Sequence, residues 1–130
     1  MTNITKEKLA SIAKAVLAEK DLAEKFKQAK AAKLLDEKVD LAKKIAERRL
    51  ISIEEGMLKE SKKGRMRYDF STTKDTVLQY TVCKMSDLEP TSWEFHIIEE
   101  MKKRNFKVTM EYCHDGVGIS SWHDFYICWD

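Results

Sequence analysis

Three features of the sequence predict an α+β fold: an N-terminal helical arm of two or three helices, then a small antiparallel sheet of about four strands covered by one helix. The first 64 residues contain no proline and are dense in Ala, Leu, Lys and Glu, all strong helix formers. The aromatic residues are concentrated in the other half, with Phe26 the only one before residue 66. That second half also contains stretches that alternate apolar and polar side chains, the period of a half-buried strand. Charge divides at the same place. The overall net charge is +2, but residues 1–65 carry +6 and residues 66–130 carry −4. The expected organisation is a helical arm over 1–64 and an aromatic-rich unit of hairpin, helix and hairpin over 65–130, folded together as one domain.

The first helix opens at Thr5, which can cap it, and its apolar face is Leu9, Ile12, Ala13 and Val16, spaced three and four apart. "EKDLAEKF" interrupts that face, and Leu22, Phe26 and Ala29 set another. Asp21 can cap a second helix there, or the first can bend or continue. Leu35, Val39, Ala42 and Ala46, with Leu34, Leu41 and Ile45 beside them, make a broader stripe. "SIEE" at 52–55 has the form of a capping box, so a short helix can begin at Ser52, carrying Ile53, Met57 and Leu58. One longer helix running straight through Ser52 is the competing reading. Gly64 stands where a left-handed terminating residue belongs.

"RMRYDFS" alternates strictly, which places Met66, Tyr68 and Phe70 inward and Arg65, Arg67 and Asp69 outward. "STTKD" is a turn by composition. "TVLQYTVC" is rich in β-branched residues and is expected to pair with the preceding strand as a hairpin. "TSWE" at 91–94 is a second capping box, opening a helix with Trp93, Ile97 and Met101 on one side. Lys102, Lys103 and Arg104 suit its C-terminal end, and Asn105 its stop. "FKVTMEYC" then alternates with Phe106, Val108, Met110 and Tyr112 inward. After the "HDGVG" turn, "HDFYICWD" alternates with Phe125, Ile127 and Trp129 on one face. These final residues are read as a strand that buries its large side chains, because aromatic residues bury the most area and an unpaired tail of this kind invites aggregation.

From Gly64 onward the order of elements resembles a pattern in many small proteins of tailed phages and large DNA viruses. These have a helix-terminating Gly, a Leu-rich helix followed by Gly, Phe or Tyr, any residue and Val, and a later Ile-x-Trp. The matching positions are Gly64, Phe106, Val108, Ile127 and Trp129, over roughly residues 50–130. Asn105 stands where the pattern has Gly and is a permitted left-handed substitute. The resemblance implies origin and fold, and carries no activity with it.

Several function classes are disfavoured. No apolar run approaches the roughly 18 residues of a membrane span. The start "MTNITKEKLA" lacks the apolar core of a signal peptide, so a cytoplasmic protein is expected, in host cytoplasm or virion if viral. Three cysteines at irregular spacing fit free thiols. Zinc would need four N or S ligands. Cys113, His114, His123 and Cys128 offer such atoms, without a CxxC or HxxxH pair, and buried thiols with turn-flanking histidines account for them as well. A Cys113–His114 nucleophile is disfavoured, because neighbours on a strand point to opposite faces unless the turn begins between them. No phosphate-binding glycine loop, GxSxG or HExxH occurs. The expectation is a protein without enzymatic activity or cofactor.

Two surfaces remain. Lys43, Lys44, Arg48, Arg49, Lys62, Lys63, Arg65 and Arg67 could bind nucleic-acid phosphates if they share a face, although interspersed Glu47, Glu54, Glu55 and Glu60 also fit an ordinary solvated helix. The arm's own stripe, with Leu9, Ile12, Val16, Leu22 and Phe26, is too narrow to form a core alone and points to a homodimer through the N-terminal helices, or else to a hairpin folded on itself. The preferred function is an accessory protein of phage or viral type acting by protein–protein contact, as a virion component or a modulator of a host protein. Nucleic-acid binding is the alternative.

Overall fold

The structure, a computed structural model, describes residues 4–116 and 120–130. It is α+β: a long helix α1 (Lys6–Lys62), strand β1 (Arg67–Thr72), helix α2 (Trp93–Lys103), strand β2 (Lys107–His114) and strand β3 (Ser121–Cys128). Two compact units divide the chain, residues 1–37 and residues 38–130. Residues 38–62 of α1 therefore belong with the sheet, and the division falls within the helix and not at residue 64.

One helix replaces the expected two or three. The backbone of α1 passes Asp21 and Ser52 without interruption, as the longer-helix reading had it. Both residues are exposed there, where a small polar side chain costs a helix only tenths of a kcal/mol. The decisive pattern is Ala46, Leu50, Ile53 and Met57, at spacings of four, three and four, which stays on one face across Ser52 and packs into the core. The Thr5 hydroxyl accepts from the Lys8 amide at 3.2 Å, an N-terminal cap. At the other end, Gly64 takes φ +79°. The Gly64 amide donates to Ser61 O and the Arg65 amide to Glu60 O, both at 3.0 Å, a Schellman closure. Asn105, at φ +65°, closes α2 the same way: its amide donates to Lys102 O, and that of Phe106 donates to Met101 O at 2.9 Å.

Among the described residues the sheet has three strands, not four, in the order β1-β3-β2, all antiparallel. β3 is the middle strand: Ile127 is opposite both Tyr68 and Val108, and Tyr126 is opposite both Asp69 and Thr109. Phe125 and Ile127 are fully buried, in agreement with the expected core role of this segment. The expected strand over 76–83 is absent, and with it the first hairpin. Asp75 adopts φ +60°, Thr76 caps a single 3-10 turn at Val77–Gln79, and a second such turn follows at Met85–Asp87. The β-branched residues do other work than pairing. The Thr76 hydroxyl donates to Thr73 O at 2.7 Å, and Val82 plugs a cluster with Leu88, Ile98 and Phe125, while Val77 and Tyr80 are exposed.

One face of the sheet is covered by α2 and by residues 38–62 of α1. Ala46, Ile53, Ile97, Met101 and Ile127 form the first cluster, with Tyr68, Phe70, Trp93, Phe106, Val108 and Trp129 against it. Met66 and Tyr112, expected inward, are exposed instead. Met66 lies just before β1 begins, and Tyr112 sits toward the far end of β2, where its ring meets the His123 ring edge-on at 5.5 Å.

Gly56 sits inside α1, where it would cost roughly 1 kcal/mol relative to Ala. A Cβ at this position would lie 2.4 Å from Tyr68 Cζ, so the glycine allows β1 to lie close against the helix. Gly56→Ala is expected to lower stability by about 1 kcal/mol or more despite the gain in helix propensity. In a Tyr68→Leu background the same change should be neutral or stabilising. A double-mutant cycle by urea denaturation measures the difference.

Candidate interaction surfaces

In the N-terminal unit every described residue is exposed, including Ile4, Leu9, Ile12, Leu17 and Phe26. The self-association set does not share one face. At about 100° per residue, Leu9, Ile12 and Val16 lie within one sector of an unbroken helix, whereas Leu22 and Phe26 are turned well away from its centre. A break at Asp21 would let the two stripes realign, and the unbroken helix keeps them apart.

The basic residues are also distributed. On α1, Lys44, Arg48 and Lys62 share a side, while Lys43 faces away and borders a groove of about 340 Å³ with Glu47, His96, Glu99 and Glu100. The Arg49 guanidinium lies 4.3 Å from the Trp93 ring centroid, a cation–π contact. Glu60 pairs with Arg65 at 2.9 Å and with Lys63 at 3.6 Å. The Arg65 guanidinium beside it, with Lys63, holds the Glu60 carboxyl below its ordinary range.

Arg67 serves the sheet. It binds Asp69 at 2.8 Å on its own strand, stacks over Tyr126 of the middle strand at 3.7 Å, and reaches Glu111 on β2. One side chain thus straps all three strands on the face away from α2. These carboxylates push its pKa up. Lys74 makes a similar contact over Trp122, at 4.4 Å. This outer face therefore presents two aromatic rings, each already covered by a cation, with Asp69, Glu111 and Asp124 among them.

The four candidate zinc ligands are not assembled. Cys113 is opposite Trp122 and its thiol donates to Asp124 Oδ2 at 3.4 Å. His114 accepts the Gly116 amide at 3.1 Å. His123 is opposite Tyr112 on the other face from Cys113, and Cys128 lies about 16 Å further along β3. Among the described residues no group of three His, Cys, Asp or Glu side chains could hold a metal ion. The Cys113 thiol is pushed up by desolvation and by Asp124, and that of Cys128 by desolvation and Asp130, so both favour the thiol over the nucleophilic thiolate. On α2, His96 Nε2 lies 2.6 Å from Pro90 O.

Sequence reading missed the role of Glu94. It was expected to close a capping box begun by Thr91, but the residue before α2 is Ser92, without a side-chain capping bond. Glu94 turns inward and is only 7% exposed. Desolvation raises its pKa above the ordinary carboxylate range, opposed by its own backbone amide, Arg49 and the Ser71 hydroxyl. A raised folded value means that the native state binds the proton more tightly than the unfolded chain. The contribution to stability is full below the ordinary carboxylate range and is lost as pH rises through the raised value. Glu94→Gln should therefore raise the melting temperature by a few degrees at pH 7, with the advantage vanishing near pH 4. Calorimetry at the two pH values reads it.

No helix among the described residues is long and apolar enough to cross a membrane. No family model matches the chain, and no curated protein or solved structure is significantly similar to it.

Proposed function

We propose that this chain acts by protein–protein contact, without catalysis, and that the contact is made by the N-terminal part of α1, which pairs two copies of the chain. One observation carries the reading: from Lys6 to Lys38 a continuous helix leaves every apolar side chain in solvent. Helices in water draw most of their stability from burying an apolar face, and a long segment that buries none is completed by a partner. The unit over 38–130, with α2 and the sheet closing its core, is the body that the arm joins to a second one. A phage or viral origin and an accessory role, in a virion or on a host protein, fit the positions Gly64, Phe106, Val108, Ile127 and Trp129, and are part of the same proposal.

The cations do not favour the nucleic-acid reading over this one. Arg65, Arg67 and Lys63 are engaged by carboxylates, and Arg49 by an aromatic ring.

Light scattering on the intact chain should give the mass of a dimer. Replacing Leu9, Val16 and Leu34 together with Ser should give a monomer whose near-ultraviolet circular dichroism, reporting the aromatic unit, is unchanged. An intact chain that is monomeric at every accessible concentration overturns the proposal.

A further inference from the structure

The unbroken course of α1 puts onto one face residues that two separate helices would have scattered. Within the N-terminal unit, Leu9, Ala13, Val16 and Leu17 form a first apolar patch on that face. Lys20, Glu24 and Lys27 follow on it. Ala31, Leu34 and Leu35 then form a second apolar patch. Val16 is 44% exposed, Leu17 60%, Leu34 50% and Leu35 54%, so both patches are open to solvent. Two apolar patches flank a charged centre.

We infer that two copies pair through this face in antiparallel orientation, with the two-fold axis between Lys25 and Phe26. The inference rests on the arm-pairing reading and specifies its geometry. In this register Val16 lies opposite Leu35 of the partner subunit, Leu17 opposite Leu34 of the partner subunit, and Lys20 over Ala31 of the partner subunit. At the centre Glu24 faces Lys27 of the partner subunit, and the two-fold axis repeats the pair. The surface is self-complementary, which an isologous dimer requires.

The alternative is a parallel, in-register pair. It sets each apolar patch against its own copy, but it also sets Lys20, Glu24 and Lys27 against their own copies at the centre of the contact. Of the four lysines between Lys25 and Lys33, Lys27 lies on this face, and in parallel pairing it would meet its own copy. The antiparallel pair instead places Lys27 against Glu24 of the partner subunit. Exposed ion pairs add little affinity, but like charges brought together are a penalty, so charge here selects orientation while the apolar patches supply attraction.

The test uses the full chain with a nitroxide carried on one p-acetylphenylalanine, in place of Lys14 or of Lys25, leaving the three cysteines untouched. Pulsed dipolar spectroscopy should give a short separation at position 25. At position 14, 23 residues of axial offset at 1.5 Å each should give about 35 Å. Short separations at both positions overturn the antiparallel orientation and leave arm pairing standing. Absence of dipolar coupling in a chain that is monomeric by light scattering overturns arm pairing itself. Glu24→Lys supplies a second reading. It should weaken the dimer by about threefold to tenfold in the antiparallel arrangement, where two attractive pairs become repulsive. An unchanged dissociation constant, as expected for a parallel pair that exchanges one like-charge contact for another, also counts against the proposal.

Discussion

Removal of Phe125 to Asp130 is expected to abolish the cooperative folding of the unit over 38–130. These residues include the second half of β3, the strand that both β1 and β2 pair with. Arg67, Tyr68, Asp69 and Ser71 lose their ladder partners on one side, and Lys107, Val108, Thr109 and Met110 on the other. The two most deeply buried side chains of the sheet go with them, since Phe125 and Ile127 are both 0% exposed. Truncating a buried Phe costs about 3–5 kcal/mol and a buried Ile about 2–5 kcal/mol, against a total stability of roughly 5–15 kcal/mol for a domain. The lost ladder bonds come on top. The shortened chain should keep the far-ultraviolet signal of helix while losing the near-ultraviolet signal of packed aromatics, and it should melt without a transition. A truncated protein that unfolds with the same cooperativity as the intact one contradicts the central position of β3.

The second large effect is expected at Met101. Its side chain is 0% exposed and sits with Ile97, Ala46, Ile53 and Ile127, so it joins α2, the residues of α1 beyond 38, and the middle strand. Met101→Ala should cost about 2–5 kcal/mol, because three elements would have to move together to close the cavity. Met66→Ala makes the comparison. Met66 is 56% exposed, and its loss should fall within about 0.5 kcal/mol of zero, as for most surface changes. Chemical denaturation of the two variants side by side measures the contrast. Similar losses at the two positions would show that the alternation "RMRYDFS" buries Met66 after all.

The comparison of these methionines shows where the sequence was informative. Local signals with a direct backbone cause were legible: Thr5 as a cap, Gly64 and Asn105 as left-handed stops, and the apolar period of α2. Each depends on residues within a few positions of one another. The alternation in 106–112 and 123–129 was equally local, and both segments are strands. What failed was inference about partners. "TVLQYTVC" has the β-branched composition of a strand, but composition does not supply a neighbour. Asp75 and Thr76 turn the chain into 3-10 geometry, and Val82 is buried as a plug. The polar residues at 21 and 52 resemble helix starts because capping motifs are short, whereas the stripe from Ala46 to Met57 that carries the helix past Ser52 is visible only over three turns. Glu94 was read as a capping residue. The Ser71 and Arg49 side chains that meet its carboxyl are distant in sequence, and no local pattern announces them.

The candidate surfaces followed the same rule. Eight cations close in sequence suggested a patch, but a helix distributes neighbours around its axis, and four of them are held by nearby carboxylates or an aromatic ring. The arm's apolar residues were noticed, while their arrangement on one face required knowing that the helix does not break.

Because the centre of the sheet is the last of its strands along the chain, a nascent polypeptide leaving the ribosome has no partner strand to zip onto until β3, beginning at Ser121, emerges. Arg67 must then find Cys128 across sixty-one positions of chain, a closure that slows assembly relative to contacts between neighbours in sequence. Both helices can form early and locally, whereas the flanking strands wait as open edges. During that interval the growing molecule is most exposed to clumping with its own kind.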